Sequence, residues 1–238
     1  MSKPFYVGIP NRGLVHIEGE DRKSFLQGLV SNDVTKPAPI YAHLLTPQGK
    51  FLHDFFIHEG NGFLLLDCEG GDRAKDLYER LLKFKLRAKV QLSIEEHNKV
   101  YAVFGNDIGT PDPRHESMGR RTFEKPDYDE KPFEEWDRLR ISLCIPDGSR
   151  DMKIESSTLL ESNIDKLNGV DWDKGCYMGQ ELTARMKYRG LAKRHLYTVT
   201  LSGPAPAPFS DLPNGGNMRS SCGTIGIALL KDGESTCL

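Results

Sequence analysis

The chemistry that the sequence offers is concentrated around one cysteine. Cys176 follows Lys174, lies between Gly175 and Gly179, and precedes a run of helical spacing at residues 180–187. This pattern places Cys176 at the start of a helix, where unpaired backbone N–H groups and the positive end of the helix dipole favour a thiolate over a thiol. Such a thiolate would serve as a ligand, a redox group or a nucleophile. The competing interpretation is a small buried thiol that only fills space in the core.

A positively charged stretch follows this cysteine. Five basic residues come within ten positions and without one acidic residue, namely Arg185, Lys187, Arg189, Lys193 and Arg194. They form either a solvated face or, with the interleaved Tyr188, an anion site for a small-molecule carboxylate or an RNA phosphate backbone. Because the chain has 32 Lys and Arg against 34 Asp and Glu, we expect a small carboxylate rather than extensive RNA binding.

A carboxylate with possible chemistry lies earlier in the chain. Asp54 is flanked by Phe51, Phe55 and Phe56 in a segment that reads as a strand. Because burial of an unpaired carboxylate is costly, Asp54 requires a partner, a surface position or a ligand N–H group.

The cysteine and histidine spacing does not predict a metal site. The sequence has five scattered cysteines without a C-x-x-C pair, which indicates reduced thiols rather than a structural zinc site. His53 and His58 are the nearest pair of histidines, and on a strand they would point to opposite faces.

Length and composition indicate an ordered protein. With 238 residues and 38% hydrophobic residues, the chain can form one large domain or two to three small ones. It has no apolar run long enough to span a bilayer, and residues 1–5 lack the apolar core of a secretory signal. We therefore expect a cytoplasmic protein without a membrane partner.

The hydrophobic pattern predicts an α+β fold that positions these groups. Strands are predicted at residues 13–17, in a hairpin over 44–57, and at 63–66, 90–95, 100–104, 139–145, 195–201 and 224–230. Helices are predicted at residues 22–30, 72–85 and 133–140. The charged, proline-containing residues 105–132 read as a long surface loop or partly disordered insertion, and residues 203–216 as a linker or long loop.

Several stretches together resemble one family. The letters KGCYMGQE at residues 174–181, with Arg185 four residues on, are similar to the K-G-C-[YF]-x-G-Q-E signature of the folate-binding YgfZ proteins and their mitochondrial iron–sulfur assembly homologues. These proteins are relatives of the T-protein (aminomethyltransferase) of the glycine cleavage system. The letters FLQG at 25–28, SND at 31–33 and LTPQGK at 45–50, followed by Asp54, resemble the family's N-terminal helix, turn and next strand.

The resemblance implies a T-protein-like multidomain α+β fold around a central folate cavity, with a small C-terminal β-barrel-like domain. The body would comprise residues 1–104 and 133–190, with the insertion at 105–132, and the C-terminal domain would comprise residues 191–238.

The function implied by the resemblance is that of a tetrahydrofolate-binding protein that assists iron–sulfur cluster assembly or repair, including that of enzymes of tRNA modification. Its cofactor would be tetrahydrofolate or a polyglutamylated or one-carbon derivative, and its partners iron–sulfur client or assembly proteins, with tRNA involved indirectly. One alternative is a folate-dependent aminomethyl or one-carbon transferase, and another is a tRNA- or partner-binding module. The sequence leaves open whether the protein turns over a substrate.

The implied site has two parts. Cys176 and Lys174 are the predicted catalytic residues, Lys174 as a cation within reach of the thiolate rather than a solvated lysine. Gln180 and Glu181 are either ordinary first-turn residues or hydrogen-bond partners of the cysteine loop. The predicted folate-binding residues are Asp54, Gln27, Asn32, Tyr177, Gln180, Glu181 and Arg185.

Overall fold

The computed structural model describes residues 3–95, 99–213, 215–234 and 236–237. The strands are β1 (Phe5–Ile9), β2 (Arg12–Glu18), β3 (Ile40–Leu45), β4 (Phe51–Glu59), β5 (Phe63–Glu69), β6 (Gln91–Glu95), β7 (Val100–Phe104), β8 (Thr110–Pro111), β9 (Arg120–Thr122), β10 (Asp129–Lys131), β11 (Arg194–Thr200), β12 (Asn217–Cys222) and β13 (Ile225–Lys231). The helices are α1 (Arg22–Gln27), α2 (Asp72–Lys85), α3 (Phe133–Ser142) and α4 (Gln180–Arg189), with short 3-10 turns at Glu116–Met118, Gly148–Arg150 and Ile164–Leu167. The mixed α and β content predicted from the sequence is confirmed.

The first sheet has the strand order β3-β4-β5-β2-β6 and is antiparallel throughout. Its two predicted hairpins, β3–β4 and β4–β5, are confirmed. Helix α2 has the predicted bounds and buries Ala74, Leu77 and Leu81. These side chains share a core with Leu26 of α1, so both helices cover one face of the sheet.

The second sheet has the order β10-β1-β7-β9-β8, in which β1 and β10 are parallel and the other pairs antiparallel. It includes three strands from residues 105–132, so the prediction of a surface loop or disordered insertion is wrong. The segment is ordered because its charges find partners inside the protein: Arg114 pairs with Asp112, and Arg121 pairs with Asp67 of β5.

The C-terminal sheet is a three-stranded antiparallel sheet with the order β11-β13-β12. Its two predicted strands are confirmed, whereas β12 was not predicted. In the described residues β11 and β12 are the edge strands, with only single bridges from Thr200 to Cys237 and from Asn217 to Asp211, so the predicted barrel-like closure is not found there. The predicted domain boundaries stay a prediction.

Helix α3 joins the body to this sheet. The predicted strand at residues 139–145 is wrong, because α3 continues to Ser142. Ile141 packs with Leu196 and Ile227 of the C-terminal sheet. Arg140 is fully buried and donates to Asp151 at 2.6 Å and to Ser220 at 2.7 Å, which ties α3 to β12.

One buried histidine of the first sheet makes the fold sensitive to acid. His43 of β3 is fully buried, and its Nε2 has no hydrogen-bond partner. Burial lowers the pKa of His43 to about 3. An unfolded histidine titrates near pH 6.5, so between these values the unfolded chain holds one more proton than the folded chain. The free energy of unfolding must therefore fall as the pH is lowered through this window.

We expect His43 alone to remove about 3 kcal/mol of stability between pH 6.5 and pH 4, at about 1.4 kcal/mol per pH unit. His43→Leu removes this proton, so its free energy of unfolding should depend on pH with a slope smaller by about one proton. Urea denaturation at a series of pH values measures both slopes. Equal slopes for the wild type and the variant would contradict the assignment.

Candidate functional site

The loop that carries Cys176 lies between a turn and a helix. The carboxylate of Asp171 accepts from the backbone N–H groups of Asp173 at 2.8 Å and Lys174 at 3.0 Å, which fixes the start of the loop. Helix α4 begins at Gln180, and Cys176 is exposed in the irregular segment before it. The predicted position of the thiol at the start of the helix is therefore wrong. The field of the dipole is strongest within the first turn, and Cys176 lies ahead of that turn.

Lys174 is a structural clamp. Its Nζ donates to three backbone carbonyls, of Gln27 at 2.8 Å, Val30 at 2.6 Å and Asn32 at 2.8 Å. Burial lowers the pKa of Lys174 to about 8. All three donors of the ammonium group are used to hold the chain that follows α1, so Lys174 positions the loop of Cys176 against the body of the protein.

The predicted ligands Gln27 and Asn32 support the same region. The Gln27 amide donates to Asp33 at 3.0 Å and accepts from the Val34 N–H at 2.9 Å. The Asn32 amide donates to two backbone carbonyls, of Tyr41 at 2.8 Å and of Asn168 at 2.7 Å. Their polar groups are thus engaged in shaping the chain.

The end of the cysteine loop meets the β3–β4 turn at a glycine contact. Gly179 has φ +81°, and a Cβ atom added there would lie 2.6 Å from the carbonyl oxygen of Thr46 and 3.0 Å from Cα of Gly49. The two stretches that carried the resemblance, residues 45–50 and 174–181, are therefore packed backbone against backbone. Tyr177 is buried in the core beside them, and burial raises its pKa to about 12.

The remaining predicted residues of α4 face outward. Gln180 is half-buried, while Glu181 and Arg185 are exposed. Close by, Lys187 lies 3.7 Å from the centre of the Trp172 ring, and Tyr188 is 72% exposed.

Asp54 belongs to a second part of the molecule. In the described residues, no hydrogen bond or ion pair joins it to residues 174–185. Asp54 is buried and accepts from the Tyr41 hydroxyl at 3.1 Å. Burial raises the pKa of Asp54; Arg12 opposes this shift, and the charge of Asp147 adds to it. A Cβ atom added at Gly148 would lie 3.0 Å from Asp54 Oδ1, so glycine permits this close approach.

The space around Asp54 is filled by a cluster of buried ions, which we call the arginine cluster: Arg12, Asp67, Asp112, Arg114 and Arg121. Asp67 accepts from Arg12 at 2.7 Å and from Arg121 at 2.5 Å, and Asp112 accepts from Arg114 at 2.8 Å. Burial alone would raise the pKa of Asp67, but Arg12 and Arg121 lower it to about 2. The guanidinium groups of Arg121 and Arg114 lie 4.1 Å and 4.8 Å from the centre of the Phe56 ring.

One feature of the sequence indicates this cluster. Asp67 follows three leucines in the predicted buried strand, and a carboxylate in such a strand requires a buried cation.

Tetrahydrofolate can be tested against this arrangement. The carboxylates of Asp54, Glu69 and Asp147 could accept the N–H groups of a pterin ring. However, the cavity beside Asp54, lined by Arg12, Glu69, Asp147 and others, has a volume of only about 110 Å³. Sites for ligands of drug size are usually ~300–1,000 Å³. The donor chemistry fits a pterin, but the closed arrangement does not fit a whole folate.

A larger cavity adjoins the cysteine loop. It has a volume of about 510 Å³ and an apolar wall that includes Leu44, Pro47, Leu52, Phe84 and Met178. Met178 belongs to the same loop as Cys176 and lines this cavity, whereas Cys176 itself does not. Within the described residues, no group of three or more His, Cys, Asp or Glu side chains is arranged to hold a metal ion.

The fold has a counterpart among solved structures. The crystal structure of glycine cleavage system aminomethyltransferase T from Bartonella henselae matches with a TM-score of 0.68 at 12% sequence identity, covering 97% of this chain and 79% of that chain. At this identity the likeness defines the fold alone. The protein is therefore of the class with an aminomethyltransferase T-like fold, as predicted.

The sequence comparison defines the family. No protein-family model matches the chain. The human protein "Iron-sulfur cluster assembly factor IBA57, mitochondrial" is 30% identical, over 93% of this chain and 76% of its own length. The mouse protein of the same name is 29% identical, over 94% of this chain and 76% of its own length. The Mycosarcoma maydis homologue is 34% identical, over 86% of this chain and 60% of its own length. The chain belongs to the IBA57 family. It spans only 60% and 56% of the Mycosarcoma maydis and Neurospora crassa relatives.

The predicted cytoplasmic location is contradicted by these relatives, which are named as mitochondrial proteins. The prediction rested on apolar segments, and import into an organelle does not depend on a bilayer-spanning run of residues. Along the described stretches, no helix combines the length and apolar character needed to cross a membrane.

The glycine contact leads to a stability prediction. Gly179→Ala adds a side chain at φ +81° and 2.6 Å from a backbone oxygen, so we expect it to lower the free energy of unfolding by about 3 kcal/mol or more. Gly190, at φ +57°, has no atom within 4 Å of an added Cβ, so Gly190→Ala should cost only about 1–2 kcal/mol for the backbone conformation.

Gly28 is a second control, because it has φ −82° and nothing within 4 Å, and Gly28→Ala should change stability little. Urea denaturation of the three variants separates the backbone conformation from the close approach. A cost at Gly179 no larger than that at Gly190 would show that the packing of the two stretches is not close.

Proposed function

We propose that this protein is an iron–sulfur cluster assembly factor and that Cys176 is the residue through which it acts. The observation that carries the proposal is membership of the IBA57 family, whose human and mouse members are named as iron–sulfur cluster assembly factors. As in the names of these relatives, the mitochondrion is the proposed location. The partners would be iron–sulfur assembly or client proteins.

Support for the role of Cys176 comes from its placement. Its thiol is exposed, whereas Cys68 is buried and Cys144 and Cys222 are partly covered. The loop on which it lies is fixed at both ends, by the three carbonyl bonds of Lys174 and by the contact of Gly179 with the β3–β4 turn. An exposed thiol on a fixed loop can meet another molecule without first ordering the chain.

The chemistry of clusters favours a shared site. Iron–sulfur clusters are usually held by about four thiolate ligands. The described residues contain no group of three or more His, Cys, Asp or Glu side chains that could hold a metal ion around Cys176. If Cys176 binds a cluster, the other ligands come from a partner. The cavity beside Met178, with its apolar wall, supports docking of such a partner against the loop that carries the thiol.

Cys176→Ala should abolish the function and leave the fold unchanged. In cells that lack their own factor, the wild-type chain should restore the activity of an iron–sulfur enzyme, and the variant should restore at most about a tenth of it, because no other side chain replaces a thiolate. The matched control is Cys237→Ala, at another exposed cysteine, which should restore activity fully. Full restoration by Cys176→Ala, at equal protein level, would refute the role of the thiol.

Of the predicted ligands and partners, tetrahydrofolate has the least support, because the arginine cluster fills the space beside Asp54. Because the cavity beside Asp54 has about 110 Å³, we expect calorimetry to show no saturable binding of tetrahydrofolate at micromolar concentrations. Saturable binding that Asp54→Ala removes would show instead that the arginine cluster moves aside, and would restore the folate prediction. Binding that Asp54→Ala does not affect would place folate at another site.

The other functions stay predictions. An aminomethyl transfer activity has only the fold in its favour, since the T-protein match is 12% identical. For tRNA or partner binding, the observation in favour is the outward face of α4, where Lys187 stacks on Trp172 beside the exposed Tyr188.

A further inference from the structure

A polar cavity of about 220 Å³ lies where the C-terminal sheet meets the body. Its walls come from residues 151–162, from the three strands of the C-terminal sheet and from residues 209–217. It is separate from the loop of Cys176 and from Asp54, neither of which lines it. The proposed function therefore leaves this cavity without a role.

Arg219 of β12 dominates the cavity. The residue is 5% exposed, and its Nε is buried without a hydrogen-bond partner. Its Nη1 donates to the Asn217 side chain and to the Met218 carbonyl, and among the described residues no carboxylate lies within 4.0 Å of the guanidinium. A buried guanidinium without a counterion is costly, so an anion that enters the cavity would relieve an existing deficit.

The position of the guanidinium is fixed by its neighbours. The Phe209 ring lies 4.9 Å from the guanidinium carbon. Phe209 has φ +62°, an uncommon conformation for a bulky residue, and its backbone is held by a bond to Met218 at 2.8 Å and by one from the Asn217 amide at 3.0 Å. This arrangement keeps the guanidinium in place before any ligand arrives.

Three acids line the cavity, Asp151, Glu161 and Asp211, and each accepts a hydrogen bond. Asp151 accepts from Arg140 at 2.6 Å and from the Ser220 hydroxyl at 2.6 Å. Glu161 accepts from Thr158 at 2.8 Å and pairs with Arg194 at 3.4 Å. Asp151 and Glu161 pair directly with Arg140 and Arg194, and Asp211 accepts from the Asn217 amide at 3.0 Å. Burial lowers the pKa of Arg219, and the charges of Asp151 and Glu161 oppose this shift without an ion pair to its guanidinium in the described residues.

Hydroxyl groups complete the wall. Ser156, Ser157 and Ser162 line the same cavity. The Ser157 oxygen accepts from the Lys153 N–H at 2.8 Å, which leaves its own hydrogen available to donate to a ligand.

We propose that this cavity binds a small oxyanion, with two oxygens of one carboxylate or phosphate group held by the Arg219 guanidinium and by the serine hydroxyls. The planar guanidinium matches two oxygens of either group. The volume of about 220 Å³ limits the ligand to inorganic phosphate or a short carboxylate, because larger ligands use sites of ~300 Å³ or more.

The full chain, labelled with ¹⁵N-arginine, should be titrated separately with sodium phosphate and sodium succinate at constant ionic strength. The Nε–H resonance of Arg219, identified by its absence in Arg219→Lys, should shift and saturate with at least one of the two. The anion whose titration saturates at the lower concentration identifies the ligand as a phosphate or a carboxylate.

Calorimetry on variants makes the test specific. Arg219→Lys should weaken binding at least about tenfold, because an ammonium group cannot make the two-pronged contact. Arg87→Lys, at an exposed arginine that does not line the cavity, is the matched control and should change affinity by less than about twofold. Ser157→Leu, which fills part of the cavity, tests the site independently if Arg219→Lys does not fold, and it should also weaken binding about tenfold.

The proposal fails if neither anion gives a saturable shift of an arginine Nε–H resonance in the wild-type chain. It also fails if Arg219→Lys and Ser157→Leu both bind as tightly as the wild type. Neither result bears on the role of Cys176, because rescue of an iron–sulfur enzyme is measured independently.

Discussion

The structure depends on the pairing of buried charges at its centre. Asp67 lies on β5 of the first sheet, and its two carboxylate oxygens receive Arg12 from β2 and Arg121 from the second sheet. Each of these groups would be costly to bury alone, and together they satisfy one another. The same pairing orders residues 105–132 and occupies the middle of a fold whose T-protein counterpart has the same architecture. These ion pairs join the two sheets, together with a shared apolar core that includes Val7 and Val100 of the second sheet and Phe51 and Phe56 of the first.

A second set of buried contacts fixes the surface where the protein is proposed to act. Lys174 reaches across to the chain after α1, and Gly179 lets the start of α4 lie against the β3–β4 turn. Cys176 lies between these two anchors and remains exposed. Lys174, Tyr177 and Gly179 of the motif are buried, whereas Cys176 and Glu181 are exposed.

The sequence predicted the elements that local patterns define. In helix α2, Leu77 and Leu81 recur at helical spacing. The turns of the hairpins in the first sheet are short polar stretches that contain glycine. The secondary-structure predictions are wrong where contacts with residues distant in the sequence determine the local structure. Leu139 and Ile141 alternate like a strand, but Arg140 between them is drawn to Asp151 and Ser220, and the helix continues. Residues 105–132 look like a loop because Asp67, the partner of Arg121, lies far away in the chain. In the site, the motif and its thiol were visible in the sequence, whereas the groups that fill the space beside Asp54 were not.

The contrast between two buried cations separates structure from function in this molecule. Lys174 is close to Cys176 in the sequence and was predicted to act with it. Its ammonium group donates to three backbone carbonyls and therefore has no donor available for a ligand. Arg219 stands in no motif, yet it is buried with an unpaired Nε and without a carboxylate partner in the described residues. Asp54 lies between these cases, with one hydrogen bond from Tyr41 and a pKa raised by burial. Since a folded chain tolerates an unsatisfied buried charge only at a cost, the degree of satisfaction is a better guide to a binding role than proximity to a motif.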